Sequence, residues 1–182
     1  MKFQDHPLST REVQIKYLID YIPLSAHIPQ DDLSKKIIPF KNGEQEPLKF
    51  FYDIIEKKLK QGQQFVVCNV PSSNSAWPWP PIRQLAYELR RDKGLIMGEH
   101  ILIRKYTIPS QHSGSKRLTI DQHYKSLEIL KSFSNVVNGA HILLFDDIIT
   151  TGNSFKGCVK HFLEHGARKI TGVILGKTKR WQ

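Results

Sequence analysis

Residues 142–154 read Ile142-Leu143-Leu144-Phe145-Asp146-Asp147-Ile148-Ile149-Thr150-Thr151-Gly152-Asn153-Ser154, and this stretch decides the fold. Its apolar opening has the length and character of a buried strand. That strand delivers two adjacent carboxylates. A short loop of hydroxyls and Gly152 then opens directly into a helical pattern, predicted over Ser154 to His165 and stopped by Gly166. Backbone N–H groups of such a loop and of a helix N-terminus form a phosphate cradle, to which the hydroxyls of Thr150, Thr151 and Ser154 contribute. A carboxylate beside the cradle accepts hydrogen bonds from a sugar diol. Phosphate cradle and diol acceptor side by side describe a ribose 5-phosphate binder.

Working outward, the pattern alternates strand and helix. After the signature helix, Lys169 to Leu175 reads as a final strand. Before it, Gln64 to Val70 is a strand, Pro71 to Pro81 a Ser/Asn/Pro/Trp loop, and Ile82 to Arg91 a helix with Leu85, Ala86 and Leu89 on one face. Ile101 to Ile103 reads as a further strand, Ile108 to Lys116 as a polar loop, and Leu118 to Phe133 as helical. Residues 11–22 alternate polar and apolar positions, as a strand does. Leu48, Phe51, Ile54, Ile55 and Leu59 recur at helical spacing until Gly62. Strand, helix and strand in this succession predict right-handed βαβ units and a parallel sheet flanked by helices. In such sheets ligands bind beyond the carboxyl ends of the strands.

The segment Ile142 to Ser154 resembles the phosphoribosyl pyrophosphate (PRPP) signature of the type I phosphoribosyltransferases: four apolar residues, two acids, two apolar residues, then a Thr-Thr-Gly-x-Ser/Thr-like loop. Within that superfamily the chain looks most like the ComF-type, competence-associated proteins. Ile37 to Gly43 is similar to their lysine segment, Val67 to Ser73 to their first core strand and pyrophosphate loop, and Arg104 to Gln111 with Arg117 to their flexible loop. Two departures stand out. The N-terminal cysteine zinc module often seen in that family is absent, and the loop after Val70 has Ser72-Ser73-Asn74-Ser75-Ala76-Trp77 in place of an Arg-Gly element.

The resemblance implies an α/β, Rossmann-like fold with a small N-terminal hood over residues 1–60 and a core over residues 61–182. It implies displacement of pyrophosphate at ribose C1 by a base or amine, through an oxocarbenium-like transition state, with Mg²⁺ bridging pyrophosphate and ribose hydroxyls. On that reading Asp146 and Asp147 serve the ribose and indirectly the metal, which has no direct protein ligand assigned. Thr150, Thr151, Gly152, Asn153 and Ser154 hold the 5-phosphate, and Ser72, Ser73 and Asn74 form the pyrophosphate loop. Arg104, Lys105, Lys116 and Arg117 close over the pyrophosphate. Purine-salvage relatives with an acid where Thr150 stands can use it near the base; this chain has a threonine. A homodimer is a further expectation.

Charge keeps a second class open. The chain of 182 residues has 27 Lys and Arg against 17 Asp and Glu, a net +10, and residues 61–182 hold 17 of the basic and 8 of the acidic groups. Such a field suits an anion, either nucleic acid or a small polyphosphate. A nucleic-acid-associated module and a PRPP- or nucleotide-sensing regulator are therefore the alternatives to an enzyme. The Asp146-Asp147 pair discriminates, since carboxylates help a ribose and repel a phosphate backbone.

Other motifs yield simpler readings. His161-Phe162-Leu163-Glu164-His165 matches an inverted zinc-protease motif, yet the 17 residues after His165 contain no Asp, Glu, His or Cys to complete a site. Gly172 to Thr178 has three residues between its glycines where a Walker loop needs four, and reads as a core strand with a basic tail. Trp77-Pro78-Trp79-Pro80-Pro81 is a rigid aromatic loop suited to packing on the domain's own surface. Cys68 and Cys158, 90 positions apart, read as small buried hydrophobes and make no disulfide framework. No apolar run approaches the roughly 20 residues of a membrane span, and no secretory h-region opens the chain, so a reducing cytoplasm is expected.

Overall fold

The computed structural model describes residues 1–76, 79–98, 100–109 and 117–178. Lys116 of the basic quartet, Trp77 and Pro78 lie outside these.

Among the described residues eight strands occur: β1 (Gln4–Asp5), β2 (Val13–Tyr21), β3 (Phe65–Asn69), β4 (Ile96–Met97), β5 (Leu102–Arg104), β6 (Leu127–Ile129), β7 (His141–Ile149) and β8 (Lys169–Thr178). Six of them form one sheet in the order β1-β2-β8-β7-β3-β4. All its neighbours are parallel except β1 against β2. The helices are α1 (Ile37–Lys41), α2 (Gln45–Glu56), α3 (Pro81–Lys93), α4 (Ile120–Lys125), α5 (Ser134–Val137) and α6 (Asn153–Glu164). The fold is thus α/β, with a mainly parallel sheet covered on both faces.

Side chains on a strand alternate between faces, and both faces are buried here. Along β7, Ile142 and Leu144 join one core with Phe155, Cys158 and Phe162 of α6. Leu143 and Phe145 join the other, with Ile37 and Phe40 of α1, Phe51 of α2 and Leu85 of α3. The continuous apolar run read from the sequence therefore divides between two cores. On β8, Gly172 gives α6 its close seat: a Cβ there would lie 2.6 Å from Cζ of Phe155.

Three expectations are corrected. The strand near residue 102 is not in the main sheet; β5 pairs antiparallel with β6 in a separate two-stranded ribbon. The sheet edge next to β3 is taken instead by β4, two exposed residues that carry no periodic signal. The helix expected over Leu118 to Phe133 is six residues long, because the capping box of Thr119 and Gln122 starts it and Ser126 ends it. Leu127 and Ile129 are then buried around an exposed Glu128, a strand alternation embedded in what reads as a helical stretch. Finally, β7 does not stop at Asp146-Asp147 but runs on to Ile149, with Asp146 opposite Ile174 and Ile148 opposite Gly176.

The segment preceding residue 60 is interleaved with the rest. Its β2 lies beside β8 in the main sheet, while α1 and α2 pack with α3 on one face.

Candidate functional site

The carboxyl ends of β3 and β7, the first turn of α6 and the end of α1 enclose a cleft of about 350 Å³. Among the residues read from sequence, Asp146, Asp147, Thr150 to Ser154, Ser72, Ser73, Arg104 and Arg117 line it. Asn74 and Lys105 do not.

Asp146 accepts the Asp147 N–H at 3.0 Å. Burial, and next the charge of Asp147, push its carboxyl well above the usual carboxylate range. Asp147 is held differently. One oxygen accepts the Ile148 N–H at 2.6 Å, and the other lies 3.2 Å from the Lys41 ammonium at the last residue of α1. Two adjacent acids thus have unlike environments, one whose charged form is disfavoured by burial and by its neighbour, and one paired with a cation. Two carboxyls supply too few oxygens for a divalent ion by themselves, and its remaining ligands would have to come from substrate and water. No group of three His, Cys, Asp or Glu side chains able to hold a metal occurs among the described residues.

The turn after β7 forms as the sequence suggests. Gly152 has φ +78°, in the left-handed region that glycine adopts without strain, and from there the chain enters α6. The N-cap Gly152 has no side chain to cap this helix, and the Asn153 N–H makes only a long 3.5 Å contact to the Thr151 hydroxyl. The N–H groups that follow, with the positive end of the helix dipole, are presented at the cleft. The side chains around them are not all directed to a ligand. Asn153 donates its amide to the Leu118 carbonyl at 2.8 Å, tethering the lead-in to α4. The Thr150 hydroxyl lies 2.9 Å from that of Thr178 at the end of β8.

In the loop after β3, the Asn74 carboxamide oxygen accepts the Ala76 N–H at 2.9 Å, folding the 71–76 loop on itself. Arg104 is not on a mobile loop. It is the last residue of β5, only 7% exposed, and its guanidinium donates to the carbonyls of Pro71 and Ser72 and to the Ser126 hydroxyl.

Two lining residues have functional environments the sequence did not reveal. Lys41 stood in the lysine segment, but its pairing with Asp147 joins helix and strand far apart in the chain. His123 of α4 is buried against the cleft, and burial followed by the Arg104 charge lowers its pKa to about 4. No short motif signals it.

The motifs set aside are occupied elsewhere. His161 stacks on Tyr124 with ring centroids 4.1 Å apart and bonds the Tyr124 carbonyl. Glu164 accepts the Tyr124 hydroxyl, and His165 bonds the His161 carbonyl. Trp79 packs edge-on against Tyr87 at 5.6 Å, with Arg83 over its ring. Both cysteines are buried and unbridged. Among the described residues no helix is long and apolar enough to cross a membrane.

No protein-family model matches the chain, and no curated protein matches it. Among solved structures it is similar to a hypoxanthine phosphoribosyltransferase from Staphylococcus aureus, with TM-score 0.42 and 16% identity over 79% of this chain and 64% of that one. It is similar to a hypoxanthine phosphoribosyltransferase from Trypanosoma cruzi, complexed with the product IMP, with TM-score 0.39 and 13% identity over 80% and 65% of the two chains. A third is the L. donovani hypoxanthine-guanine phosphoribosyl transferase, with TM-score 0.36 and 11% identity over 78% and 71%. The chain therefore spans somewhat less than two thirds of the first two.

Proposed function

We propose that this chain binds PRPP and transfers its ribose 5-phosphate to a nitrogenous acceptor, releasing pyrophosphate. One observation carries the reading: a single cleft at the strand ends brings Asp146 and Asp147 together with the uncapped N-terminus of α6. That is a diol acceptor beside an anion seat, and few ligands other than a phosphorylated sugar use both.

In the reaction, the bond from ribose C1 to the pyrophosphate oxygen breaks, its electron pair leaving with pyrophosphate, and a nitrogen lone pair of the acceptor forms the new bond to C1, that nitrogen releasing its proton to solvent. The N–H groups of α6 anchor the 5-phosphate and fix the sugar's position. Asp146 and Asp147 orient the ribose hydroxyls, and Asp147 places negative charge near the cationic C1 of the transition state. Lys41 holds Asp147 in place. Asp146 and Asp147 are the residues that would face a Mg²⁺ ion here, and its charge would neutralise that of the leaving group. Choice of acceptor falls to the wall that Phe40, Pro81 and Ile82 build. Thr150 stands where purine-salvage relatives can have an acid, which disfavours a hypoxanthine or guanine acceptor.

The test is Mg²⁺-dependent pyrophosphate release from PRPP, screened over a panel of bases and amines. Release with one acceptor class is expected. Saturable PRPP binding without release under any acceptor would favour a PRPP-sensing regulator instead.

A further inference from the structure

Arg104 is a cation in an unusual position. It is 7% exposed and lines the cleft, and among the described residues no carboxylate forms an ion pair with it. Buried charges are normally paired. Here the fork of the guanidinium is spent on one loop: Nε donates to the Ser72 carbonyl at 2.5 Å and Nη2 to the Pro71 carbonyl at 3.1 Å. Nη1 is taken by the Ser126 hydroxyl, which itself donates to the His123 carbonyl at 2.7 Å. The next carbonyl, that of Ser73, accepts the Ile108 N–H at 2.9 Å.

Peptide geometry gives this grip a consequence. In a trans peptide the N–H points away from the carbonyl that precedes it. Holding the Pro71 and Ser72 carbonyls against Arg104 therefore turns the N–H groups of Ser72 and Ser73 to the other side. Among the described residues neither N–H donates a hydrogen bond, and both serines line the cleft. Two successive open amides backed by a fixed cation make an anion-binding concavity. It lines the same cleft as the N-terminus of α6.

We propose that Arg104 is a positioning residue: by gripping the Pro71 and Ser72 carbonyls from beneath, it aims the Ser72 and Ser73 N–H groups at the diphosphate end of the donor. This rests on the PRPP reading above. It also explains how a loop without an Arg-Gly element presents donors. The neighbouring strand provides the cation, and its fork sets the peptide planes.

Three probes separate positioning from simple support of the fold: ribose 5-phosphate, PRPP and inorganic pyrophosphate, each measured by calorimetry with Mg²⁺ present. Arg104→Gln should keep ribose 5-phosphate affinity within about twofold and lose about tenfold or more for PRPP and pyrophosphate, the scale of one lost charge-assisted contact. Arg104→Lys should resemble Arg104→Gln, since a point-charge ammonium cannot fork to two carbonyls. Should Arg104→Gln fail to fold, Ser126→Ala removes one of the three contacts and should show the same split at smaller amplitude. Equal loss for all three probes, or loss for none, overturns the proposal while leaving the PRPP reading standing. Wild-type protein that binds none of the probes overturns both.

Discussion

At the scale of single residues, Asp146 is the group whose chemistry the surroundings change most. Its carboxyl is held above the ordinary range by burial and by Asp147, so the folded chain keeps a proton there that the unfolded chain releases. Stability then falls as pH rises from the ordinary carboxylate value near 3.8 towards the raised folded value. Asp146→Asn removes that dependence. Relative to wild type, the variant should gain Tm at pH 7 to 8, by about 2–4 °C per kcal/mol of relieved penalty for a chain of this size, and lose the gain towards pH 4. It should bind ribose 5-phosphate more weakly throughout. A lower Tm at pH 7 would make Asp146 a structural group. That the acids and the hydroxyl-bearing loop line one cleft was legible in the sequence, because thirteen consecutive residues carry them. The Lys41–Asp147 pair was not, because only the folded sheet brings α1 to the end of β7.

Elements set how those residues are aimed. The N-terminal turn of α6 lies against β8 where Gly172 leaves room for the Phe155 ring, and an added Cβ would come within 2.6 Å of Cζ and 3.0 Å of Cε2. Gly172→Ala should therefore cost about 1–3 kcal/mol, as overpacking does, and weaken ribose 5-phosphate binding because Phe155 lines the cleft. Adding Phe155→Leu should restore Tm; no recovery in thermal melts would mean the ring is not the obstacle. The α4–α6 contact carries the opposite pH signature to Asp146. His123, with its pKa lowered to about 4 by burial and by Arg104, resists a proton that the unfolded chain accepts below its ordinary value of 6.5. Its contribution is complete above pH 6.5 and declines as pH falls towards 4. His123→Asn should flatten that decline in denaturant midpoints measured across the window; an unchanged slope would assign it to other groups. The long strands β7 and β8 were readable from their apolar runs. The ribbon of β5 and β6 was not, since three-residue strands give too few positions for a period, and their pairing spans the loop between them.

For the molecule as a whole, alternating elements forecast a parallel sheet flanked by helices, and the order β2-β8-β7-β3-β4 fulfils it. What the chain could not disclose is that β2, read as part of an N-terminal lead-in, takes the place beside β8. Pairing between strands from opposite ends of the chain leaves no local trace. Nor does topology choose between the small anion and the polyanion that a net charge of +10 would attract, but salt does. A protein that neutralises several backbone phosphates releases condensed counterions, and its affinity falls with a log–log slope of about −0.9 per contact on duplex DNA. PRPP held by α6 amides, a carboxylate pair and Mg²⁺ releases few. Binding titrations in rising salt should show Mg²⁺-dependent PRPP affinity that persists at moderate ionic strength. DNA binding under the same conditions should be weak, indifferent to sequence and abolished. The acids favour that outcome, since Asp146 and Asp147 at the cleft floor meet a sugar diol well and a phosphate backbone badly. Sequence-selective DNA binding that withstands the salt, together with no measurable affinity for PRPP, would transfer the function to the basic surface and leave the cleft without its proposed ligand.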